Sequence, residues 1–229
     1  MRYVPQHTGV WRTHRPLLLL IIFMGVVFLG QKLLALAGMP WAFLFMATPE
    51  YVVASWEALL DGHVSFVQIW HFGTLFSCVF LHADLQHLLF NMLFFWMFGA
   101  VLLELLGTRW LFILFVVTGV MGSIVHTILN ATAPIPVLGA SGAVMGFEGA
   151  YLALVVRWRL PDPHVWPIAH PISPTRLAVI AIIGIVGDYN GLMNHAETNI
   201  AYGAHIGGFI AGLFVAGFLA PRPRLAQPR

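Results

Sequence analysis

Ser141 and His205 are the two residues of this sequence whose side chains could together attack a carbonyl group. A serine hydroxyl becomes a nucleophile when a neighbouring base takes its proton, and an imidazole suits that role at neutral pH. Ser141 lies in the segment Gly139-Ala140-Ser141-Gly142, where a short loop leads into an apolar run. By itself, a serine among small residues more often indicates close helix packing than catalysis. Whether the two side chains meet therefore depends on the positions of the helices that carry them.

The composition indicates a membrane protein. Of the 229 residues, 59% are hydrophobic and 9% are charged, whereas about 25% are charged in an ordinary soluble domain. Cys78 is the single cysteine, so the chain can form no internal disulfide and must be held by packing and backbone hydrogen bonds. We expect the first apolar run to remain as a membrane span and not to be a cleaved signal, because it is long enough to span.

Apolar runs predict an all-α membrane protein with six spans. The predicted helices are Pro16–Ala37, Leu85–Leu106, Trp110–Leu129, Gly139–Val156, a fifth helix with its apolar core at Leu177–Gly187, and Ile200–Ala220. Asp84 is the predicted N-cap of the second helix. The fifth core has only 11 residues, fewer than the ~17 that a full span needs, so we expect that helix to be tilted, frayed or mobile.

The segments between these helices have their own patterns. Residues 38–81 mix aromatic residues with acids and prolines, which favours a long first loop with short helices lying partly in the membrane interface. Residues 160–174 contain five prolines and predict an irregular inner loop, and residues 188–199 predict an outer loop. Gln31 and Lys32, late in the first span, are expected to extend toward the outer surface.

The basic residues predict the orientation in the membrane. With both termini on one side, 10 of the 11 basic residues fall on that side and only Lys32 does not, so the positive-inside rule makes that side cytoplasmic. We therefore predict a cytoplasmic leader at residues 1–15, a membrane domain at residues 16–220 and a cytoplasmic tail at residues 221–229. The expected location is a bacterial inner membrane.

Polar residues near the starts of the second, fourth and sixth helices share one level. Ser141 lies 16 residues before Arg157 and His205 lies 16 residues before Pro221, so each is ~24 Å above the inner boundary at a rise of 1.5 Å per residue. His87 and Asn91 occupy a similar level on one face of the second helix. We expect these side chains to converge beneath the outer surface.

Glycine spacing predicts that the fourth and sixth helices touch. Gly142 and Gly146 are four residues apart, as are Gly208 and Gly212, and such faces let two helix backbones approach closely. This approach would bring the His205 imidazole within hydrogen-bond distance of the Ser141 hydroxyl.

The residues then suggest roles in acyl transfer. Ser141 would attack a carbonyl, and His205 would take its proton and later deliver it to the leaving amine. No acid is evident to orient His205, so a dyad is predicted without Asp188 or Glu197. The Ser141 backbone N–H, the His87 imidazole and the Asn91 amide could stabilise the oxyanion. The alternatives are a packed, carbonyl-bonded His205 and an interhelical hydrogen-bonded pair of His87 and Asn91.

Three motifs together resemble the rhomboid family of intramembrane serine proteases. They are His82-x-x-x-x-His87-x-x-x-Asn91, Gly139-x-Ser141-Gly142 and Ala204-His205-x-x-Gly208, in this order on the second, fourth and sixth helices. The resemblance implies a six-helix bundle with a water-filled cavity open to the outer side, a dyad of Ser141 and His205, and an oxyanion site of His87, Asn91 and the Ser141 amide. It also implies cleavage of single-span membrane proteins near the outer membrane surface. We expect the lipid bilayer as a partner and no metal or cofactor. The fifth helix corresponds to the element usually proposed as a lateral gate, and residues 38–81 to a membrane-lying first loop.

Two positions depart from the family pattern, and several further polar residues have expected roles outside the dyad. Gly73-Thr74 stands where the family often has Trp-Arg, and Met145 stands where many members have an aromatic residue against the imidazole. His82 is expected to face the cavity mouth and organise water or the first loop. Glu148 is expected to be a protonated structural hydrogen-bonding group, the alternative being that it tunes the site. The remaining histidines expected in loops or packing are His63, His71, His126 and His195.

The same residues allow two other function classes. A catalytically silent binder of transmembrane helices would use the same fold, and a membrane zinc hydrolase could use His82, His87 and His205 as ligands. A transporter is disfavoured because no inverted repeat or pair of broken helices is evident. The arginines are scattered at membrane boundaries and the glycines lie in spans, so no nucleic-acid or nucleotide partner is expected.

Overall fold

The structure is a computed structural model that describes residues 10–39, 41–162, 173–194, 200–224 and 226–228, with side chains from residue 14 onward. The predictions that concern His195, Glu197, the middle of the inner loop and the first nine residues lie outside these ranges. Eight α-helices are described: α1 (Val10–Leu36), α2 (Pro49–Leu60), α3 (Phe66–Ser77), α4 (Leu85–Leu106), α5 (Thr108–Leu129), α6 (Ser141–Arg157), α7 (Pro174–Met193) and α8 (Tyr202–Phe214). Shorter elements are 3-10 turns at Trp41–Phe45 and Cys78–Phe80, a π-helical turn at Val215–Leu219, and strands β1 (Trp158–Arg159) and β2 (Gln227–Pro228), which pair antiparallel.

The helices form the predicted all-α membrane bundle. Within the described residues, five helices have the length and apolar composition of membrane spans: α1, α4, α5, α7, and α8 with its π-helical turn. The predicted count of six spans adds α6, which has 17 residues and is shorter than these five. Large apolar side chains are exposed around the bundle, as expected where lipid replaces water as the solvent.

The helix α6 lies at the centre of the bundle, because it packs against α4, α5, α7 and α8. Its residues from Gly142 to Tyr151 are all buried. Phe147 stacks near Phe95 of α4 with ring centroids 5.1 Å apart, and both side chains are fully buried. The segment that opens with Ser141 is therefore the most enclosed helix of the fold.

The second predicted helix is confirmed at both ends, since α4 spans Leu85–Leu106. The predicted N-cap is confirmed as well, because the Asp84 carboxylate accepts a hydrogen bond from the His87 backbone N–H at 2.8 Å. The predicted boundaries of the third and fourth helices and the start of the sixth differ by at most two residues from those observed.

The first predicted helix boundary was wrong, since α1 begins at Val10 and Pro16 lies inside the helix. The extension is held by contacts to α4: His14 Nε2 lies 3.2 Å from Glu104 Oε1, and the His14 ring lies 5.4 Å from that of Trp96. Part of the predicted leader is therefore helical and joined to the bundle.

The fifth helix was predicted too short. The helix α7 has 20 residues and continues through Asp188 to Met193, whereas the prediction placed Asp188 in the outer loop. Ser173 caps the start of α7 by accepting a hydrogen bond from the Arg176 backbone N–H. Near the other end, Asn190 Nδ2 donates to the Val186 carbonyl at 2.9 Å. Polar residues therefore continue this helix beyond its apolar core.

The predicted extension of Gln31 toward the surface was also wrong. The Gln31 side chain is 7% exposed. Its amide accepts from the His82 backbone N–H at 3.2 Å and donates to the His82 carbonyl at 3.4 Å. Lys32 is exposed, and its Nζ donates to the Ala83 carbonyl at 2.7 Å. These bonds tie the outer end of α1 to the segment that precedes α4.

The first loop contains the short helices that the sequence predicts, α2 and α3, which pack against α5. Trp70 Nε1 donates to the Leu44 carbonyl at 2.9 Å, a bond within the loop, and the packing of α2 and α3 on α5 holds the loop to the bundle although it lacks the family's Trp-Arg pair. Ala47 and Val137 exchange two backbone hydrogen bonds of 3.1 and 2.8 Å. The first loop therefore holds the segment that leads to Ser141.

Candidate active site

Gly139 organises the loop immediately before the candidate nucleophile. Its backbone has φ +127°, a conformation that side chains disfavour, and its N–H donates to the Cys78 carbonyl at 2.9 Å. A Cβ at Gly139 would lie 2.8 Å from His87 Nε2 and 3.8 Å from Ser141 Oγ. The missing side chain thus leaves room in which the His87 ring and the Ser141 hydroxyl lie close together.

The two ring nitrogens of His87 have different neighbours. Its Nδ1 accepts from the Ala83 backbone N–H at 3.4 Å. A neutral imidazole that accepts at Nδ1 carries its proton on Nε2, and Nε2 is the atom beside Gly139. The arrangement therefore directs an N–H donor toward the space next to Ser141.

Asn91 lies one turn along the same helix and is 6% exposed. Its Nδ2 donates to the His87 carbonyl at 2.9 Å, so one of its two N–H groups is used within α4. The other N–H is the donor that the amide could offer to a bound group.

The close approach of α6 and α8 that the glycine spacing predicts is present. A Cβ at Gly208 would overlap the carbonyl oxygen of Gly142, and a Cβ at Gly142 would lie 3.2 Å from the carbonyl oxygen of Ala204. Ser141 precedes Gly142 and His205 follows Ala204. The two candidate residues therefore extend from neighbouring points of the tightest helix contact.

His205 has an acidic partner, contrary to the prediction that none is available. Its Nδ1 lies 2.9 Å from Asp188 Oδ2 of α7, and the side chains are 17% and 15% exposed. Within the described residues, no hydrogen bond joins Ser141 to His205. Sequence reasoning missed Asp188 because the apolar run ends before it. The sequence carries no local signal for this pair, because His205 lies 17 residues after Asp188 on another helix.

The comparison with protein families agrees with this architecture. Residues 67–222 match the family model described as the Rhomboid domain, and this match covers more than half of the chain. The chain belongs to the rhomboid family. Its apolar helices further identify it as an integral multi-pass membrane protein.

Curated rhomboid relatives are similar over most of the bundle. The rhomboid protease GlpG of Yersinia pseudotuberculosis is 29% identical over 174 residues, which cover 76% of this chain and 56% of that protein. The putative rhomboid protease YdcA of Bacillus subtilis is 31% identical over 124 residues, with 54% and 61% covered. RHOMBOID-like protein 5 of Arabidopsis thaliana is 29% identical over 151 residues, with 66% and 45% covered. The chain thus spans about half the length of these relatives.

His82 of this rhomboid protein does not face a cavity mouth as predicted. It is fully buried, and its ring meets that of His87 edge-on with centroids 5.3 Å apart. Burial, and secondarily the neighbouring His87, lower the pKa of His82 from its ordinary 6.5 to about 4. Among the described residues its ring nitrogens have no hydrogen-bond partner. His82 is therefore a neutral packing partner of the His87 ring.

Met145 and Glu148 of the rhomboid core both face α7. A Cβ at Gly184 would lie 3.8 Å from Met145 Cε and 3.3 Å from Glu148 Oε2. Glu148 is 3% exposed, and the hydrogen bond predicted for it is not formed within the described part of the chain. Its carboxyl group lies beside the part of α7 that carries Gly184 and, about one turn later, Asp188.

Zinc ligation in this rhomboid fold would need His82, His87 and His205 to converge. Among the described residues, no three His, Cys, Asp or Glu side chains are grouped so that they could hold a metal ion. His205 Nδ1 is directed at Asp188 instead. Within the part of the chain that the structure describes, the zinc-hydrolase alternative therefore has no ligand set.

Of the other histidines, His71 has a packing role, as predicted. Its Nδ1 lies 2.7 Å from Ser55 Oγ, and its ring stacks on Tyr51 with centroids 5.5 Å apart. These contacts join α2 to α3 inside the first loop of the rhomboid fold.

Proposed function

We propose that the chain is an intramembrane serine endopeptidase that cleaves single-span membrane proteins near the outer membrane surface. The observation that carries the proposal is the arrangement around Gly139, where a serine hydroxyl, a helix start and an imidazole N–H lie together. Two of the relatives, GlpG and YdcA, are named as rhomboid proteases, which supports a protease function for this family member.

In the proposed reaction, the Ser141 hydroxyl attacks the carbonyl carbon of a substrate peptide bond. Its proton passes to His205 Nε2 and then to the leaving amine, and water later releases the acyl group by the same steps. Hydrogen bonds between catalytic groups are often long in a free enzyme and tighten in the substrate complex. We therefore expect the bond between Ser141 Oγ and His205 Nε2 to form when substrate binds.

The oxyanion of the tetrahedral intermediate would be stabilised by His87 and by the start of α6. The Nε2–H of His87 faces the space beside Ser141, and the Ser141 backbone N–H lies at the positive end of the helix dipole. The second Nδ2–H of Asn91, which does not bond the His87 carbonyl, supplies a further donor in this proposal. These groups act where negative charge develops and need no rearrangement during the reaction.

The proposed setting follows from the positions of the basic residues. In this proposal both termini lie in the cytoplasm, the membrane domain reaches from α1 to residue 220, and the site opens toward the outer side of a bacterial inner membrane. The substrate reaches the site from the lipid bilayer as a transmembrane segment. In this proposal neither a cofactor nor a nucleotide takes part.

Labelling with a fluorescent serine-directed phosphonate tests the proposal. We expect the wild-type protein in proteoliposomes to be labelled at Ser141. The His205→Ala variant should lose the label, because the Ser141 hydroxyl is then no longer activated by the imidazole. Mass spectrometry of the labelled peptide identifies the residue, and excess EDTA is expected to leave labelling unchanged.

The absence of label from a folded wild-type protein would contradict the proposal. It would favour a catalytically silent binder of transmembrane helices. One observation favours that second function. His205 contacts Asp188, whereas no hydrogen bond joins Ser141 to His205 among the described residues. Labelling that EDTA prevents would favour a metal-dependent hydrolase.

Replacing Gly139 by alanine should slow phosphonate labelling by about tenfold or more, because it moves the His87 donor away from the oxyanion site. Alanine at φ +127° is strained, at a cost of about 1–3 kcal/mol, and its Cβ would displace the His87 ring. The rate of labelling and the thermal stability of the variant measure the two effects. Gly73→Ala in α3 is the matched control, because a Cβ there meets no atom within 4 Å. Equal labelling rates for the two variants would show that the His87 position is irrelevant.

A further inference from the structure

The contact between Asp188 and His205 joins two helices through side chains that are 17 residues apart in the sequence. Asp188 lies on α7 and His205 on α8, and Nδ1 is 2.9 Å from Oδ2. Among the described residues, Asp188 is the only acidic side chain within 4 Å of the imidazole. Both side chains are largely enclosed, at 17% and 15% exposed for His205 and Asp188. A charged hydrogen bond in such surroundings is stronger than the same bond in water.

The direction of this bond fixes the state of the imidazole. A carboxylate can only accept, so the His205 ring must carry a proton on Nδ1 to make the bond. The neutral ring is then left with its lone pair on Nε2, which is the state needed to take a proton from a serine. The same bond restrains rotation of the ring about its side-chain torsions.

The other residues of α7 show where this helix packs against the bundle. The buried residues of α7 lie in its first half: Leu177, Ala178 and Ala181. In the second half, a Cβ at Gly184 would be 3.3 Å from the Glu148 carboxyl group, and a Cβ at Gly191 would overlap the Tyr202 ring. Asp188 lies one turn after Gly184 and less than one turn before Gly191. The pair therefore belongs to the close contact of the outer half of α7 with the bundle.

We propose that Asp188 is a positioning residue that holds His205 in the tautomer and orientation of a general base, so that α7 completes the catalytic site. The inference rests on the proposed function. When Ser141 attacks, its O–H bond breaks as the new bond from Oγ to carbon forms, and the proton goes to His205 Nε2. The Asp188 carboxylate keeps its charge throughout and stabilises the imidazolium. Displacement of the outer half of α7 removes this partner from the base.

The test is Asp188→Asn in the full-length protein in proteoliposomes. We expect kcat for a single-span reporter substrate to fall by about 10- to 100-fold with KM nearly unchanged, since general-base catalysis contributes roughly 10²–10⁴-fold and the dyad keeps part of it. Asn190→Ala is the matched control, because Asn190 is exposed on the same turn of α7 and bonds its own helix. Its kcat should equal that of the wild type.

A second measurement does not depend on turnover. ¹⁵N NMR of histidine-labelled protein, assigned with His205→Gln, should find the Nδ1–H tautomer of His205 in the wild type and a mixture of tautomers in Asp188→Asn. An unchanged tautomer and an unchanged kcat in Asp188→Asn would overturn the inference while leaving the protease function intact. A folded wild-type protein that neither takes the phosphonate nor cleaves the reporter would overturn both. A loss of kcat with the tautomer unchanged would also overturn the positioning role.

Discussion

Replacing Ser141 by alanine is expected to lower kcat by roughly 10⁴-fold or more, as removal of the nucleophile does in other serine hydrolases. The hydroxyl is the atom that forms the bond to the substrate in the proposed reaction, so no neighbouring group can replace it. The fold should be unaffected, because Ser141 is the first residue of α6 and its side chain does not cap the helix. The substitution therefore separates chemistry from stability.

The measurement is cleavage of a reporter protein with one membrane span in proteoliposomes, with thermal unfolding followed in parallel. Wild-type turnover in excess EDTA is the companion measurement, and it should be unchanged. If Ser141→Ala retained more than about a hundredth of wild-type turnover, Ser141 would not be the nucleophile.

Replacing Gly208 by valine is expected to prevent the bundle from folding or to destabilise it by about 3 kcal/mol or more. Even the Cβ of the new side chain would overlap the Gly142 carbonyl oxygen. That obstacle is backbone, which cannot move aside as the end of a flexible side chain can. The helices α6 and α8 would have to separate, which opens the centre of the fold and moves His205 away from Ser141.

The yield of monodisperse protein in detergent and its Tm measure this effect, with an expected fall in Tm of about 6–12 °C where the variant folds at all. Gly30→Val is the matched control, since Gly30 lies in the membrane-spanning helix α1 and a Cβ there meets no atom within 4 Å. A Gly208→Val protein as stable as the Gly30→Val protein would refute this account of the packing.

The features that sequence reasoning found are those that local spacing encodes. The start of α4 was predictable because Asp84 is an N-cap residue directly before an apolar run. The contact of α6 with α8 was predictable because glycines four residues apart lie on one face of a helix, and the carbonyl of Gly142 indeed fills the space that Gly208 leaves. These patterns depend on a few neighbouring residues and on helix geometry.

The features that sequence reasoning missed depend on partners that lie on other helices. Hydropathy ended the fifth helix before Asp188, because a carboxylate is unfavourable in an apolar segment unless it has a partner. The partner, His205, lies 17 residues later on another helix. The extension of α1 was missed for the same reason, since His14 is held by Glu104. No local pattern reveals such a pair.

The burial of His82 was missed because its position depends on α1. Gln31 satisfies both backbone groups of His82, which lets the residue lie inside the protein with its ring against His87. Gln31 and His82 are 51 positions apart in the sequence. A motif places such a histidine in the sequence but does not fix the depth at which its ring lies.

The backbone bonds between Ala47 and Val137, and the bond from Gly139 to the Cys78 carbonyl, have a thermodynamic consequence for the proposed enzyme. Fixing the backbone of one residue costs roughly 1–2 kcal/mol of conformational entropy. Because the first loop immobilises the segment before Ser141, this cost is incurred once, when the chain folds, and not again in each catalytic cycle. In the proposed reaction, the binding free energy of a substrate is then not reduced by the cost of ordering this segment.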